Sequence, residues 1–282
     1  GRVREVMDDA GGRFAHDFDA FGQLHVASTN ASEPAVIAFD RWGNAVALLR
    51  EPVRYERSGC PSALGSMRIR CDGAGRIVES VDGTNRSTFV YDADHRLSAV
   101  TGGDGMLVTW GYDAFGRVAT YAEGTEARRF THLGSRLYAT TDAAGRRLRK
   151  YVRLPDLGLC LAILRADGTV HYPLSDAAGT LTHLTDREGK VAGRRAFTPF
   201  GTLYTRDDPL QIDLGFRSEL SFRNHRFLSW NGRMIHAVLQ RAMAMPAVDP
   251  SATGLHAGNP VSFMDGNPMR GAGVFVPDEV RL

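Results

Sequence analysis

The 282-residue chain sets 34 basic against 32 acidic residues, a formal net charge of +2, and 43% of its residues are hydrophobic. This is a normal globular mixture, and without a like-charge block it lacks the concentrated basic footprint of a nucleic-acid binder. The longest apolar run, Leu157 to Leu164, falls far short of the roughly 20 residues a membrane helix needs, so no membrane span is expected.

From the N-terminus onward one short phrase recurs: FDAFGQL from Phe18, FDRWGNA from Phe39, CDGAGRI from Cys71, YDADHRL from Tyr91 and YDAFGRV from Tyr112. Asp19 to Asp40 is 21 residues, Asp72 to Asp92 is 20 and Asp92 to Asp113 is 21. A period near 20 residues signals a repeat architecture. In each unit the aromatic residue ends a strand, Asp caps turn amides and Gly supplies the positive φ of a tight reversal, so every phrase predicts a hairpin turn. The longer step from Asp40 to Asp72 contains Tyr55 to Ser66, whose Gly, Pro and Ser content predicts an enlarged loop. Weaker copies follow at TDAAGRRL from Thr141, RADGTV from Arg165, SDAAGTL from Ser175 and TDREGKV from Thr185.

The flanks alternate with a strand period, Val108, Trp110 and Tyr112 facing one way and Leu107, Thr109 and Gly111 the other. The fold class is therefore all-β. A single hairpin is marginal in water, and neighbouring hairpins must pair to bury enough surface, which predicts one long, curved, antiparallel sheet. One stretch departs from this period: Gly232 to Met245 sets Ile235, Val238, Leu239, Ala242 and Met245 at near-helical spacing, predicting a short amphipathic helix over 232–245.

Sites of conventional chemistry are not apparent. The nine histidines show no metal-ligand spacing, no phosphate-binding glycine loop occurs, and no nucleophile lies in a G-x-S-x-G context, so neither cofactor nor metal is expected. Cys60, Cys71 and Cys160 are too few and too irregularly spaced for a disulfide framework and read as free thiols. Regularly spaced aromatics such as Trp110 and Tyr112 fit cross-strand packing, with a glycan-stacking surface as the alternative. A chain that opens at Gly1 without methionine reads as a fragment, any export signal having been lost with the missing part.

The phrase YDAFGRV and its copies resemble the tyrosine-aspartate repeats of Rhs proteins, Tc-toxin shell subunits and teneurins. The resemblance implies a spiralling β-shell around a hollow chamber. The stretch from His171 to Tyr204 resembles the opening of the Rhs core-associated region, with Thr185, Asp186, Gly189, Val191, Pro199, Phe200 and Gly201 in register. Arg233 to Pro250 resembles that region's R-x-Y-D-P-x-L-G-R-F-L-S-P-D-P wording, although His236, Ala237, Gln240 and Ala242 replace the usual Asp, Pro, Gly and Phe. Asn259 to Met269 resembles the N-P-V-x-x-x-D-P-x-G-L motif after which family members cut themselves.

Three parts follow from the resemblance: repeat hairpins over 1–170, the core-associated region over 171–269 and a short tail over 270–282. It also implies self-cleavage after Met269, with Asp265 ahead of the scissile bond, Asp249 as its partner and Arg233 orienting the two. Two carboxylates sharing a proton can activate water, because one has its pKa raised by the other. Asp265 in D-G-N-P and Asp249 before Pro250 equally fit plain turns. The implied function is the C-terminal shell segment of an Rhs-type polymorphic toxin. Its expected partners are the missing shell and toxin segments and a secretion-system tip protein, and its expected location is secreted or cell-surface. A surface adhesion or carbohydrate-binding module, with a glycan as partner, is the second reading.

Overall fold

The computed structural model describes residues 5–7, 13–18, 24–29, 32–40, 44–48, 51–56, 60–154, 159–176, 178–198, 200–207, 210, 212–222, 226–230 and 233–243. These residues form an all-β protein of antiparallel strands, with one short 3-10 turn at Phe216–Ser218. They divide into two compact units, the first running to Leu107 and resuming at Arg233, the second beginning at Val108.

In the first unit, Glu5–Met7, Arg13–Phe18, Leu24–Thr29 and Ser32–Val36 pair in sequence order as a small sheet. From Ala38–Phe39 to Leu97–Thr101, hairpins again pair in sequence order. The second unit repeats the pattern from Leu107–Tyr112 to Leu203–Asp207. Side chains alternate across each sheet as the strand period demands: Phe89 is buried and Val90 is 54% exposed, while Val108 is buried and Leu107 is 53% exposed.

Four described Asp phrases, at Asp72, Asp92, Asp113 and Asp142, close their hairpins by the same chemistry. In the Tyr112 phrase the Asp113 Oδ1 accepts the amides of Phe115 (2.9 Å) and Arg117 (3.0 Å), and its Oδ2 accepts Arg117 Nε at 2.6 Å. The amide of Asp113 donates to the Arg117 carbonyl, and Gly116 takes φ 76° to let its own amide reach back to Asp113. Asp72 and Asp92 hold Arg76 and Arg96 in the same way. The Arg four residues on is thus part of the phrase, its guanidinium clamping the carboxylate that organises the turn. Burial opposes ionisation of Asp72 and Asp113, yet the Arg and amide donors hold both carboxyls below their usual range.

In two places a tyrosine joins its phrase to the phrase before it. The Tyr91 hydroxyl donates to the carbonyl of Ile77 (2.7 Å), the last residue of the preceding CDGAGRI, and the Tyr55 hydroxyl donates to Ala45 (2.9 Å), which ends FDRWGNA. Tyr55 also revises the reading of 55–66 as an enlarged loop. The amide of Glu56 donates to the Cys60 carbonyl at 2.9 Å between the strands Glu51–Tyr55 and Pro61–Leu64, which is the pairing the other phrases make. Y-E-R-S-G-C is a further copy of the repeat with Glu in place of Asp.

Cys60 and Cys71 are joined in a disulfide, contrary to the free thiols expected, with their Cα atoms 6.2 Å apart. The hairpin register explains it: Leu64 opposes Met67 and Ala63 opposes Arg68, and continuing that ladder sets Cys60 opposite Cys71. Cys160 stays a buried free thiol, its pKa pushed up to about 11 by burial. Replacing Cys60 and Cys71 together by Ser is expected to cost about 3 kcal/mol, the loop entropy released to the unfolded chain. Urea unfolding of oxidised, reduced and Ser-substituted protein measures it, with the last two expected to coincide.

Candidate functional site

Two polar regions stand out from the apolar interior, one in each unit. In the first unit the strands Arg233–His236 and Arg241–Ala242 form a hairpin, with Ile235 opposite Ala242 and His236 opposite Arg241. The helix predicted over 232–245 is therefore absent from its described part, 233–243, and the reason lies in two side chains. His236 Nδ1 accepts the amide of Leu239 at 3.3 Å, taking the capping work of the Asp in the family wording. Gln240 adopts φ 51°, the left-handed conformation for which that wording supplies Gly. The apolar spacing of Ile235, Leu239 and Ala242 arises because both strands and the turn between them are buried.

Gln240 also buries its Oε1 with no donor among the described residues. Gln240→Gly is accordingly expected to stabilise the chain by about 1 kcal/mol, since it removes both the left-handed side-chain strain and an unsatisfied acceptor. A rise in the midpoint of chemical unfolding checks this.

Arg233 lies on this hairpin, half-buried, and burial pulls its guanidinium below the usual value. Asp249, Asp265 and Met269 lie outside the described residues, so Arg233 is the one member of the expected cleavage set whose position is known. The neighbouring Arg241 is more deeply enclosed, only 7% exposed. Tyr55 and Tyr91 are the groups that act on its charge, and burial lowers its pKa. Tyr55 in turn is pushed up to about 12 by burial against the pull of Arg241, so its proton stays in place at any ordinary pH.

In the second unit the polar region is a strap, Ile212 to Phe222, fastened by side chains from the strands. Asp213, 1% exposed, accepts from Tyr151 Oη at 2.7 Å, Thr140 Oγ1 at 2.8 Å, Arg149 Nη1 at 3.2 Å and Arg128 Nη1. Burial alone would raise this carboxyl, but the two guanidinium groups and the two hydroxyls hold it below the usual range. Arginines also donate to the strap's backbone: Arg195 to the carbonyls of Ile212 and Leu214, and Arg153 to Ser218. Ser218 closes the other end by donating to Gly179 at 2.8 Å. Sequence reasoning did not single out this strap; an Asp inside the apolar run Ile212 to Phe216 was its available signal.

The apolar face of the strap completes an aromatic cluster. Phe222 meets Trp110 and Phe130 edge-on and Tyr121 at a tilt, with ring centroids 6.0, 5.9 and 5.0 Å apart, and Phe227 meets Trp110 at 5.4 Å. Trp110 is 4% exposed and packs in this core, so its ring faces are not presented to a sugar. The P-F-G phrase serves the same core: Phe200 is buried, and Gly201, at φ 88°, lies where an added Cβ would come within 2.6 Å of Leu228 and 2.9 Å of the Phe216 ring.

Among the described residues no group of three His, Cys, Asp or Glu is placed to hold a metal ion. No helix among them is long and apolar enough to cross a membrane. The arrangement around Asp213 thus binds a strap to strands, and the buried charges there are spent on that work.

Comparison with known proteins places this geometry. The RHS repeat family matches residues 72–105 and 91–126. No curated protein matches the sequence. Among solved structures, the crystal structure of TcdB2-TccC3-Cdc42 is similar to 97% of the chain at 10% identity, with a TM-score of 0.59. That of TcdB2-TccC3-TEV is similar to 94% of it at 11% identity, with a TM-score of 0.56. The chain spans 17% of the length of each of those chains. At these identities the likeness is one of fold.

Proposed function

Because the chain belongs to the Rhs/YD-repeat proteins and is a shell-type member of them, we propose that it is the C-terminal shell segment of a polymorphic toxin, a wall that encloses a toxic payload. The observation that carries this reading is the repeated tie between phrases, a tyrosine hydroxyl of one closing on the backbone of the one before. A wall needs lateral seams more than it needs an active site, and the described polar groups serve as seams. Residues 171–269 act as the core-associated region, and 270–282 as the tail beyond it. The other walls are supplied by the remainder of a longer shell, a secretion-system tip protein delivers the assembly, and the place of action is outside the producing cell.

In the same reading the chain cuts itself after Met269. Asp265 and Asp249 share a proton, one acting on water and the other on the peptide, with Arg233 fixing their charge. The support is the resemblance of 259–269 to the family's cleavage motif together with the place of Arg233 on the hairpin of Arg233–His236 and Arg241–Ala242. Intact-mass measurement tests it: purified chain is expected to lack residues 270–282, and Asp265→Asn to restore them. Uncut wild-type protein, stable over days at mildly acidic and neutral pH, would remove self-cleavage from the proposal and leave the wall.

A further inference from the structure

We propose that the Cys60–Cys71 bond is a redox latch of the first unit, a covalent tie in the place where two other phrases carry a tyrosine, and that small thiols open it. The phrases align by their backbone. The amides of Asp40, Glu56, Asp72 and Asp92 donate to the carbonyls of Asn44, Cys60, Arg76 and Arg96, each four residues on. The residues just before these amides are therefore equivalent: Phe39, Tyr55, Cys71 and Tyr91. Tyr55 and Tyr91 direct their hydroxyls to the carbonyls of Ala45 and Ile77, the residues that follow Asn44 and Arg76 in the preceding phrase. For Cys71 the equivalent target is the carbonyl of Pro61, which follows Cys60. Cys60 Sγ lies 3.2 Å from that oxygen, so the disulfide puts sulfur where a tyrosine tie would end.

The bond also takes over where strand pairing stops. Between Pro61–Leu64 and Met67–Cys71 the ladder has two pairs, Ala63 with Arg68 and Leu64 with Met67, both next to the turn. On their other sides the two strands keep separate neighbours, Pro61 opposite Tyr55 and Cys71 opposite Ile77. Breaking the disulfide therefore parts the Glu56 phrase from the Asp72 phrase and leaves each on its own neighbour. The second unit has no counterpart, since its one cysteine, Cys160, is a buried free thiol.

Access favours one sulfur. Cys60 is 3% exposed and Cys71 is half-buried, so a low-molecular-weight thiolate reaches Cys71 Sγ first. It attacks that sulfur, the S–S bond breaks, and Cys60 leaves as a thiolate that takes a proton from water. A second small thiol then displaces the first from Cys71, and the two depart joined as a disulfide. The protein has gained two electrons and two protons, and the small thiol has been oxidised. The latch stays closed in oxidising surroundings and opens where glutathione keeps thiols reduced. For a wall that acts outside the cell that made it, such a place is the interior of another cell. That use rests on the wall reading; the latch itself does not.

Hydrogen exchange read by mass spectrometry on the full oxidised chain, with and without millimolar reduced glutathione, tests it, with alkylation mass confirming the thiol state. On reduction, the amides of Pro61–Leu64 and Met67–Cys71 are expected to exchange on the order of 100-fold faster, as the closed loop regains its entropy. The strands of the second unit should not respond. Cys60→Ala combined with Cys71→Tyr is expected to exchange slowly in both conditions, its new hydroxyl taking the Pro61 carbonyl. A bond that survives glutathione, unchanged exchange after confirmed reduction, or equal acceleration in both units would overturn the latch, and a folded tyrosine variant as fast as reduced wild type would overturn the equivalence with Tyr55 and Tyr91. Should that variant fail to fold, Cys60→Ser with Cys71→Ser is expected to match reduced wild type in both conditions, and a response to glutathione in it would overturn the latch too. None of these readings depends on a payload or on cleavage, so the latch can fail while the wall stands.

Discussion

Asp213→Asn should be the most damaging single substitution in the second unit, costing about 3–5 kcal/mol. The change is isosteric, so packing is preserved and the loss is electrostatic: Arg128 and Arg149 remain beside a neutral amide, and one of the four donors now faces another donor. Urea unfolding followed by Trp110 fluorescence reads it directly, because Phe222 of the strap contacts that indole. Replacing Arg128 alone should cost less, since Asp213 keeps Arg149, Tyr151 and Thr140.

The same residue sets the acid limit. Its folded pKa is depressed, so its contribution is fully present above the ordinary carboxylate value of about 4 and is lost as pH falls through the lower folded value. Burial raises Glu219 and Asp176 against nearby arginines, and for these the sign is opposite: their ionisation costs stability above the folded pKa, and acidification relieves it. Stability of the wild-type unit should therefore rise slightly on mild acidification before it collapses, and Asp213→Asn should keep the rise and lose the steep acid limb. A flat profile down to strong acid in the wild type would contradict the assignment.

Gly201→Ala is the second large effect, expected at about 3 kcal/mol. One part is the left-handed backbone at φ 88°, which an L side chain occupies only at a cost of about 1–2 kcal/mol. The other is overpacking, about 1–3 kcal/mol, because the new methyl group meets Leu228 and the Phe216 ring inside van der Waals contact. Gly116 gives the control: its φ is 76°, but nothing lies near its Cβ position, so Gly116→Ala should show the backbone cost alone. The difference between the two midpoints of unfolding measures what the strap's packing adds.

Much of the hairpin repeat was legible in the residues because its signals are local. Asp, Gly and the aromatic residue of each phrase act within one turn, and their period near 20 survives many substitutions. The features that escaped depend on partners distant in sequence or on disguised turn chemistry. Glu56 hid a repeat because Glu stands in place of Asp and lies 16 residues from both Asp40 and Asp72, off the period near 20. The Cys60–Cys71 bond follows from a register, which spacing alone does not fix. His236 and Gln240 kept a hairpin after its usual Asp and Gly were lost, and the buried residues around them imitated a helical stripe. The strap gave no period at all; its meaning comes from Arg128 and Arg149, 85 and 64 residues before Asp213.

The tie from Tyr91 back to Ile77 has a consequence for how such a chain can change length. Each hydroxyl seeks a main-chain oxygen, which every amino acid provides, so the bond is indifferent to which copy stands beside it. Excising one whole unit, with the cut made at equivalent points of two copies, would bring a new neighbour's oxygen to the same place. Growth or shrinkage by whole courses is thereby open to evolution, while a cut of half a course leaves a hydroxyl facing the wrong side of a pleat.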